Sequence, residues 1–335
     1  MRRRRVVPAA LFTALLLSGG LAACGSDDEK PEPQAEATPD AEVTADTWPF
    51  TGLPAEDDPA LAHPLFMVKV DNDLNAAPQS GLDQADLVVQ EMVEGGLTRL
   101  AAFFYSELPD EVGPVRSMRT TDIGILAGSG GTVVTSGAAH ETIDAVDEAG
   151  ITWVTEGSEG FSRDSGRSAP HNLMVDLTEV ADAEKADEAR PDDYLPWGEA
   201  ADLPEGEDAA AFTARFSPAY TSTWEFTDGG YVLTDARSGD NPFPADTVLV
   251  LRVKVGSAGY EAYGAPVPES KLVGEGPAQL FHDGKVVTGT WFKNAVEAPL
   301  ELMDADGEPL VVPAGRVWIE LVPVDGKVKV TDQAG

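Results

Sequence analysis

Short apolar runs separated by turn residues fill the chain from about residue 65 onward. Residues 65–70 (LFMVKV) carry apolar and β-branched side chains, the pattern of a buried strand. Residues 86–93 (DLVVQEMV) and 97–105 (LTRLAAFFY) repeat it on either side of Gly95-Gly96, which predicts two strands that pair back on one another. Beyond them, 120–127 reads as a short helix and 132–136 as a strand. Residues 141–149 place Ile143, Val146 and Ala149 at helical spacing, and 151–155 is strand-like again. Residues 178–190 start at Thr178, a capping residue, and stop before Pro191, which predicts a further helix.

The pattern then changes. Pro191, Pro196 and Pro204, with acids between them, read as a linker. From residue 210 onward, alternating runs flank Asp-Gly pairs: 220–226 and 231–235, 278–282 and 285–291, 300–303 and 309–312, 317–323 and 327–330, together with an alternating run at 247–255. Asp-Gly between alternating apolar runs is a strong hairpin signal. The expected fold class is therefore α/β with a mixed sheet for residues 61–205, plus a smaller antiparallel β-rich domain for 206–335, with barrel closure an option.

Composition changes the picture most at the N-terminus. Residues 2–5 are four arginines, and an apolar run from Val6 to Ala23 ends in Leu21-Ala22-Ala23-Cys24. A basic start, a short apolar stretch and small residues before a cut describe a secretory signal peptide over residues 1–23. Leu-Ala-Ala-Cys resembles the bacterial lipobox, which would leave Cys24 lipidated with diacylglycerol and an acyl chain such as palmitate. Residues 24–60 are acidic and rich in Pro and Ala, and are expected to form a disordered tether. The formal net charge of −35 disfavours nucleic acid as a partner. One cysteine excludes internal disulfides.

The chemically unusual residues gather between Asp71 and Arg119. Arg116 and Arg119 follow a Gly-Pro, and Arg99 follows the Gly-Gly turn; guanidinium forks bind carboxylate or phosphate. Internal pairing of these arginines with Asp71, Glu91 or Glu94 is the competing reading, since acids are so abundant. Asp71, Glu91 and Glu94 fall at predicted strand ends, where two carboxyls with shifted pKa values could serve as acid and base. His171 could join them, or hold a purely structural place, as could His140. Trp291 and Trp318 could face a ligand or pack in the core. No P-loop, G-x-S-x-G elbow or H-E-x-x-H motif is present, so no cofactor and no metal is expected.

The phrases V-D-N (70–72), A-x-P-Q-S-G-L (76–82), A-D-L-V (85–88), E-G-G-x-T-R (94–99), V-G-P-V-R-S-x-R (112–119) and A-P-H-N-L (169–173) resemble the YerB-like lipoprotein family. So do F-x-D-G-K (281–285), G-T-W (289–291) and P-A-G-R-V-W-I (313–319). The resemblance covers about residues 55–333. It implies an α/β N-terminal domain and a smaller β-rich C-terminal domain, and supplies no activity.

The leading expectation is a membrane-anchored extracytoplasmic lipoprotein that binds an anionic envelope ligand or an envelope protein. Its ligand-binding residues would be Asp71, Asn72, Gln79, Ser80, Glu94, Arg99, Arg116, Ser117, Arg119, His171 and Asn172. A second reading is a cell-wall glycan or peptide hydrolase using Asp71, Glu91, Glu94 and His171. A third is a non-catalytic interaction scaffold.

Overall fold

A computed structural model describes residues 47–55, 63–184, 189–262 and 264–331. The signal peptide, Cys24 and most of the expected tether lie outside the described residues.

The first half runs β1 (Phe66–Asp71), β2 (Leu87–Met92), β3 (Thr98–Phe104), α1 (Thr121–Leu126), β4 (Thr132–Val134), α2 (His140–Glu148), β5 (Thr152–Val154), β6 (Phe161–Arg163), β7 (Leu173–Val175) and α3 (Leu177–Ala183). The second half runs β8 (Trp197–Gly198), β9 (Glu207–Asp208), β10 (Ala211–Arg215), β11 (Thr221–Thr227), β12 (Gly230–Leu233), β13 (Thr247–Ala262), β14 (Ala265–Lys271), β15 (Gly274–His282), β16 (Lys285–Lys293), β17 (Glu301–Asp304), β18 (Val312–Pro313), β19 (Val317–Pro323) and β20 (Lys327–Thr331).

One sheet crosses both halves in the order β17-β16-β15-β13-β19-β2-β3-β1-β4-β5, with β14 and β9 attached to its sides. The joint is β19, which lies parallel to β13 on one side and parallel to β2 on the other. The mixed first-half sheet and the mostly antiparallel second half match the expected class. Among the described residues the path of strands is open. Strand β19 was expected to form a hairpin with the run at 327–330. Instead β20 pairs with β10 in a separate sheet ordered β12-β11-β10-β20. An apolar strand gains more by burying both faces in the long sheet than by pairing across a local turn.

Period-two alternation divides the sheet's two faces. Phe66, Val68, Val70, Val88, Leu100, Ala102 and Phe104 share one core with Trp224 and Tyr231 of the four-stranded sheet and with Leu177 and Val180 of α3. Met67, Leu87, Val89, Ala101 and Phe103 face the other way, with Ile125 and Leu126 of α1 and Val146 of α2. Trp291 and Trp318 are both buried, in the core-packing role. Helix α3 begins at Leu177 because the cap is Asp176, two residues before Thr178, its side chain accepting from the Thr178 and Glu179 N–H groups, and the helix ends at Ala183, short of the expected 190. Phe50, expected in the tether, is buried and stacks on Phe103 with ring centroids 5.1 Å apart. An aromatic pair of this kind outweighs the polar composition around it, so residues 47–55 belong to the folded part.

At the joint, Glu320 of β19 is fully buried beside Gln90, its register partner on β2. Burial pushes its carboxyl up to about 8, against hydrogen bonds from Trp224 Nε1 and Ser222 Oγ. The native state thus holds a proton that the unfolded chain releases above the ordinary value of 4.5. Stability from this group is present below that value and is lost as pH rises toward 8. Melting temperatures measured from pH 5 to 8.5 should fall with pH in the native chain. They should flatten in Glu320→Gln, with a gain on the order of a few kcal/mol at the alkaline end.

Candidate functional site

The alternation that builds the apolar faces also delivers the site. On β1 the positions Met67, Lys69 and Asp71 face one way; on β2, Leu87, Val89 and Glu91; on β3, Arg99, Ala101 and Phe103. Register places Asp71, Arg99 and Glu91 opposite one another across the three strands. Charged residues therefore end all three columns, on the face covered by α1, and on β1 a second charge, Lys69, stands inside the column.

Lys69 answers Glu91 from the same face. Its Nζ donates to Glu91 Oε1 at 2.7 Å and to Asp122 Oδ1, on α1, at 2.6 Å. All three side chains are closed to solvent. Burial and the charge of Glu91 hold the Asp122 carboxyl above the usual range, although Lys69 pulls it down. Arg99 donates to the Ser117 carbonyl at 2.8 Å while its Nε has no partner. Burial, then the neighbouring charges of Arg119 and Arg116, lower its pKa to about 10.

Asp71 is the meeting point of the conspicuous loops. Its Oδ2 lies 2.7 Å from His171 Nδ1 and 3.1 Å from Arg116 Nε, the latter an ion-pair contact without hydrogen-bond alignment. Its N–H donates to the Pro114 carbonyl, and its own carbonyl accepts from Gln79 Nε2 at 2.6 Å. Ser80 and Gly113 exchange backbone hydrogen bonds. Gly113 has φ of 155°, and a Cβ there would sit 2.9 Å from the Leu173 carbonyl oxygen, so the loop can approach β7 only as glycine. Peptide bonds Ala77-Pro78, Gly113-Pro114 and Ala169-Pro170 in these loops are cis.

Glu94 stands on a turn made by Gly95 (φ 72°) and Gly96 (φ 73°). It forms a two-pronged pair with Arg119, at 2.8 Å to Nε and 2.7 Å to Nη2. Burial alone would raise the Glu94 carboxyl, but the hydrogen bonds and charge of Arg119 outweigh it and hold it low. Arg119 Nη1 donates to the Met118 carbonyl at 2.7 Å. Beside this pair lies a cavity of about 340 Å³, lined by Glu94, Ser117, Arg119, Ser136, Ala138, Ala139, Tyr260, Ala262 and Val267. Tyr260, Ala262 and Val267 come from the long β13–β14 arm of the second half. That arm is fixed to the first half through Tyr260 on Thr142 of α2, and through the Ser270 N–H donating to Thr121 Oγ1 at 3.0 Å.

The expected site residues thus part into groups. Glu94, Ser117 and Arg119 line the cavity. Asp71, Arg116 and His171 form a partly exposed cluster. Asn72 and Gln79 face the opposite side: Asn72 Nδ2 donates to Thr98 Oγ1 at 2.8 Å and to Tyr220 OH at 3.1 Å, and Gln79 accepts from Ser238. They tie the two halves together, and Ser80 serves the loop through its backbone. Asn172 accepts from Arg163 Nη1 at 2.6 Å. Glu91, one of the carboxyls of the hydrolase reading, is sealed against Lys69 away from solvent, and Arg119 holds the Glu94 carboxyl low, so neither offers a proton to a molecule bound from outside. His140 is exposed and pairs with Asp144 of its own helix, 3.1 Å away, not with His171. Ser136, Tyr260, Lys69 and Asp122 went unread in the sequence. The period-two march from Met67 through Lys69 to Asp71 was the available signal for Lys69. Among the described residues, no three His, Cys, Asp or Glu side chains are grouped to hold a metal ion.

This geometry belongs to a chain with recognisable relatives. Residues 50–190 match the family model described as Protein of unknown function (DUF3048) N-terminal domain, and residues 211–319 match the corresponding C-terminal domain. The chain belongs to this two-domain family. It is 26% identical over 309 residues to "Putative lipoprotein YerB" of Bacillus subtilis (strain 168), across 87% of this chain and 90% of the relative. The crystal structure of YerB from Bacillus subtilis superposes with a TM-score of 0.70 at 22% identity, covering 84% of this chain and 99% of that one. The fold is shared. No helix among the described residues is long and apolar enough to cross a membrane.

If Gln79 ties the halves rather than binding a ligand, Gln79→Ala should lower the urea midpoint by an amount equivalent to about 1–3 kcal/mol, the cost of unpaired buried polar groups.

Proposed function

We propose that this chain is a lipoprotein anchored through Cys24 on the extracytoplasmic face of the cell membrane, and that it binds a small anionic envelope ligand in the cavity beside Arg119. The observation that carries the reading is Arg119 on the wall of a cavity that Ser117, Ser136 and Tyr260 also line, with the charges of Arg99 and Arg116 close behind it. Burial first, and then the charges of Arg119 and Arg116, lower the Arg99 pKa, and an anion arriving beside Arg119 would relieve the part of this that comes from repulsion among the three arginines. A carboxylate or phosphate would share or displace the Glu94 contact on Arg119, using the guanidinium fork that Glu94 now occupies.

The relative named a lipoprotein supports the anchor, as do the arginines and the Leu-Ala-Ala-Cys of the N-terminus. Metabolic labelling with palmitate should mark the native chain and leave Cys24→Ser unlabelled; label retained by Cys24→Ser contradicts the anchor.

Glu94 as an internal competitor gives a directional test of the site. Glu94→Gln should tighten binding of inorganic phosphate or acetate, followed by calorimetry at fixed ionic strength, by about tenfold, or 1.4 kcal/mol. Arg119→Ala should abolish it. Identical weak affinity in native chain and both variants contradicts the site.

A further inference from the structure

The enclosed triad of Lys69, Glu91 and Asp122 lies outside the proposed ligand cavity and has a chemistry of its own. Lys69 Nζ touches Asp122 Oδ1 at 2.6 Å and Glu91 Oε1 at 2.7 Å, with side-chain exposures of 0%, 1% and 0%. Around it the sheet presents Met67, Val89 and Ala101, and α1 presents Ile125 and Leu126. Removing an ammonium and a carboxylate from water favours their neutral forms, an amine and a carboxylic acid. The Asp122 carboxyl is already displaced toward the protonated form by burial. An amine held against a protonated carboxyl is the reactant pair for amide formation, and enclosure keeps water from opposing it.

We propose that Lys69 and Asp122 condense into an intramolecular isopeptide bond, with Glu91 carrying the proton. Proton transfer through Glu91 first converts the ammonium–carboxylate pair to amine and acid, with the acid's hydroxyl at Oδ1. The Nζ lone pair then attacks Cγ of Asp122. Negative charge gathers on Oδ2, which already accepts a hydrogen bond from the Arg119 backbone N–H at 2.7 Å. Glu91 takes one proton from the attacking nitrogen and delivers it to Oδ1. The Cγ–Oδ1 bond breaks, water leaves, and Glu91 returns to its starting charge. Amine and acid become amide and water, with no oxidant or other reactant.

Two further observations fit the assignment. Glu91 Oε2 is buried without a hydrogen-bond partner, so one oxygen of the carboxyl holds the amine while the other is uncommitted. Asp122, not Glu91, has the backbone donor on the oxygen that must bear charge. The bond would staple β1 to α1 across 53 residues of sequence, a constraint on the unfolded chain of the kind a disulfide gives, in a protein with a single cysteine.

The test is mass spectrometry of proteolytic digests of the full-length chain purified from membranes. A branched peptide joining the Lys69 and Asp122 segments, lighter than their sum by one water, is expected in the native chain and absent from Lys69→Arg. In Glu91→Gln, with folding checked by near-ultraviolet circular dichroism, the branched peptide should accumulate after synthesis about a hundredfold more slowly. Native digests containing only the separate peptides overturn the proposal whatever the variants do. A branched peptide that forms at an undiminished rate in folded Glu91→Gln overturns the role given to Glu91.

Discussion

The structure depends on a row of charge that has to be neutralised out of water. Strand register puts Asp71, Arg99 and Glu91 side by side at the ends of apolar columns, and the covering segment from Pro114 to Leu126 seals that row. Ions in such a place are tolerated only when paired and hydrogen-bonded, and breaking one pair costs about 3–5 kcal/mol. Lys69, Arg116 and Arg119 are paired with Glu91, Asp122, Asp71 and Glu94, while Arg99 stands in register between Asp71 and Glu91 and donates to the Ser117 carbonyl. The loop geometry follows from this demand: Arg119 must reach Glu94, Arg116 must reach Asp71, and α1 must start where Asp122 meets Lys69.

The second constraint is the parallel contact of β19 with β2. It makes one sheet from two sequence domains and places the β13–β14 arm over α1 and α2. Tyr260 and Val267 then complete a cavity whose other wall is Glu94, Ser117 and Arg119. Gly96 reinforces the same joint: a Cβ there would lie 2.7 Å from Ser217 Oγ, and the Ser217 hydroxyl donates to the Gly96 carbonyl at 2.6 Å. The cavity is therefore a property of the joined halves and of neither alone.

Much of the local fold was legible in the chain. The β2–β3 pair around Gly95-Gly96, the hairpin at Asp283-Gly284 and helix α2 follow from patterns of period two and 3.6. Topology was less so, because the partner of β19 is chosen by long-range burial that no local turn reveals. The site was half legible. Glu94 and Arg119 announced themselves as an acid and a base in an apolar setting, and their residue types are as compatible with internal pairing as with a ligand site. Lys69 was hidden because a lysine inside LFMVKV reads as the tolerated polar position of a strand. Asp122 was hidden because an acid in the first turn of a helix ordinarily faces solvent. Asn72 and Gln79 looked like ligand groups because a buried amide that ties two domains has the same chemistry as one that binds a ligand.

The proposed function rests on an anion being received on the Arg119 side of the cavity. Crystals soaked in selenate and measured at the selenium edge test it most directly. An anomalous peak is expected within hydrogen-bond distance of the Arg119 guanidinium, between Ser117, Ser136 and Tyr260, with Glu94 drawn aside. Selenate bound only on the outer surface, with the Glu94–Arg119 pair intact and the cavity holding none, would contradict it.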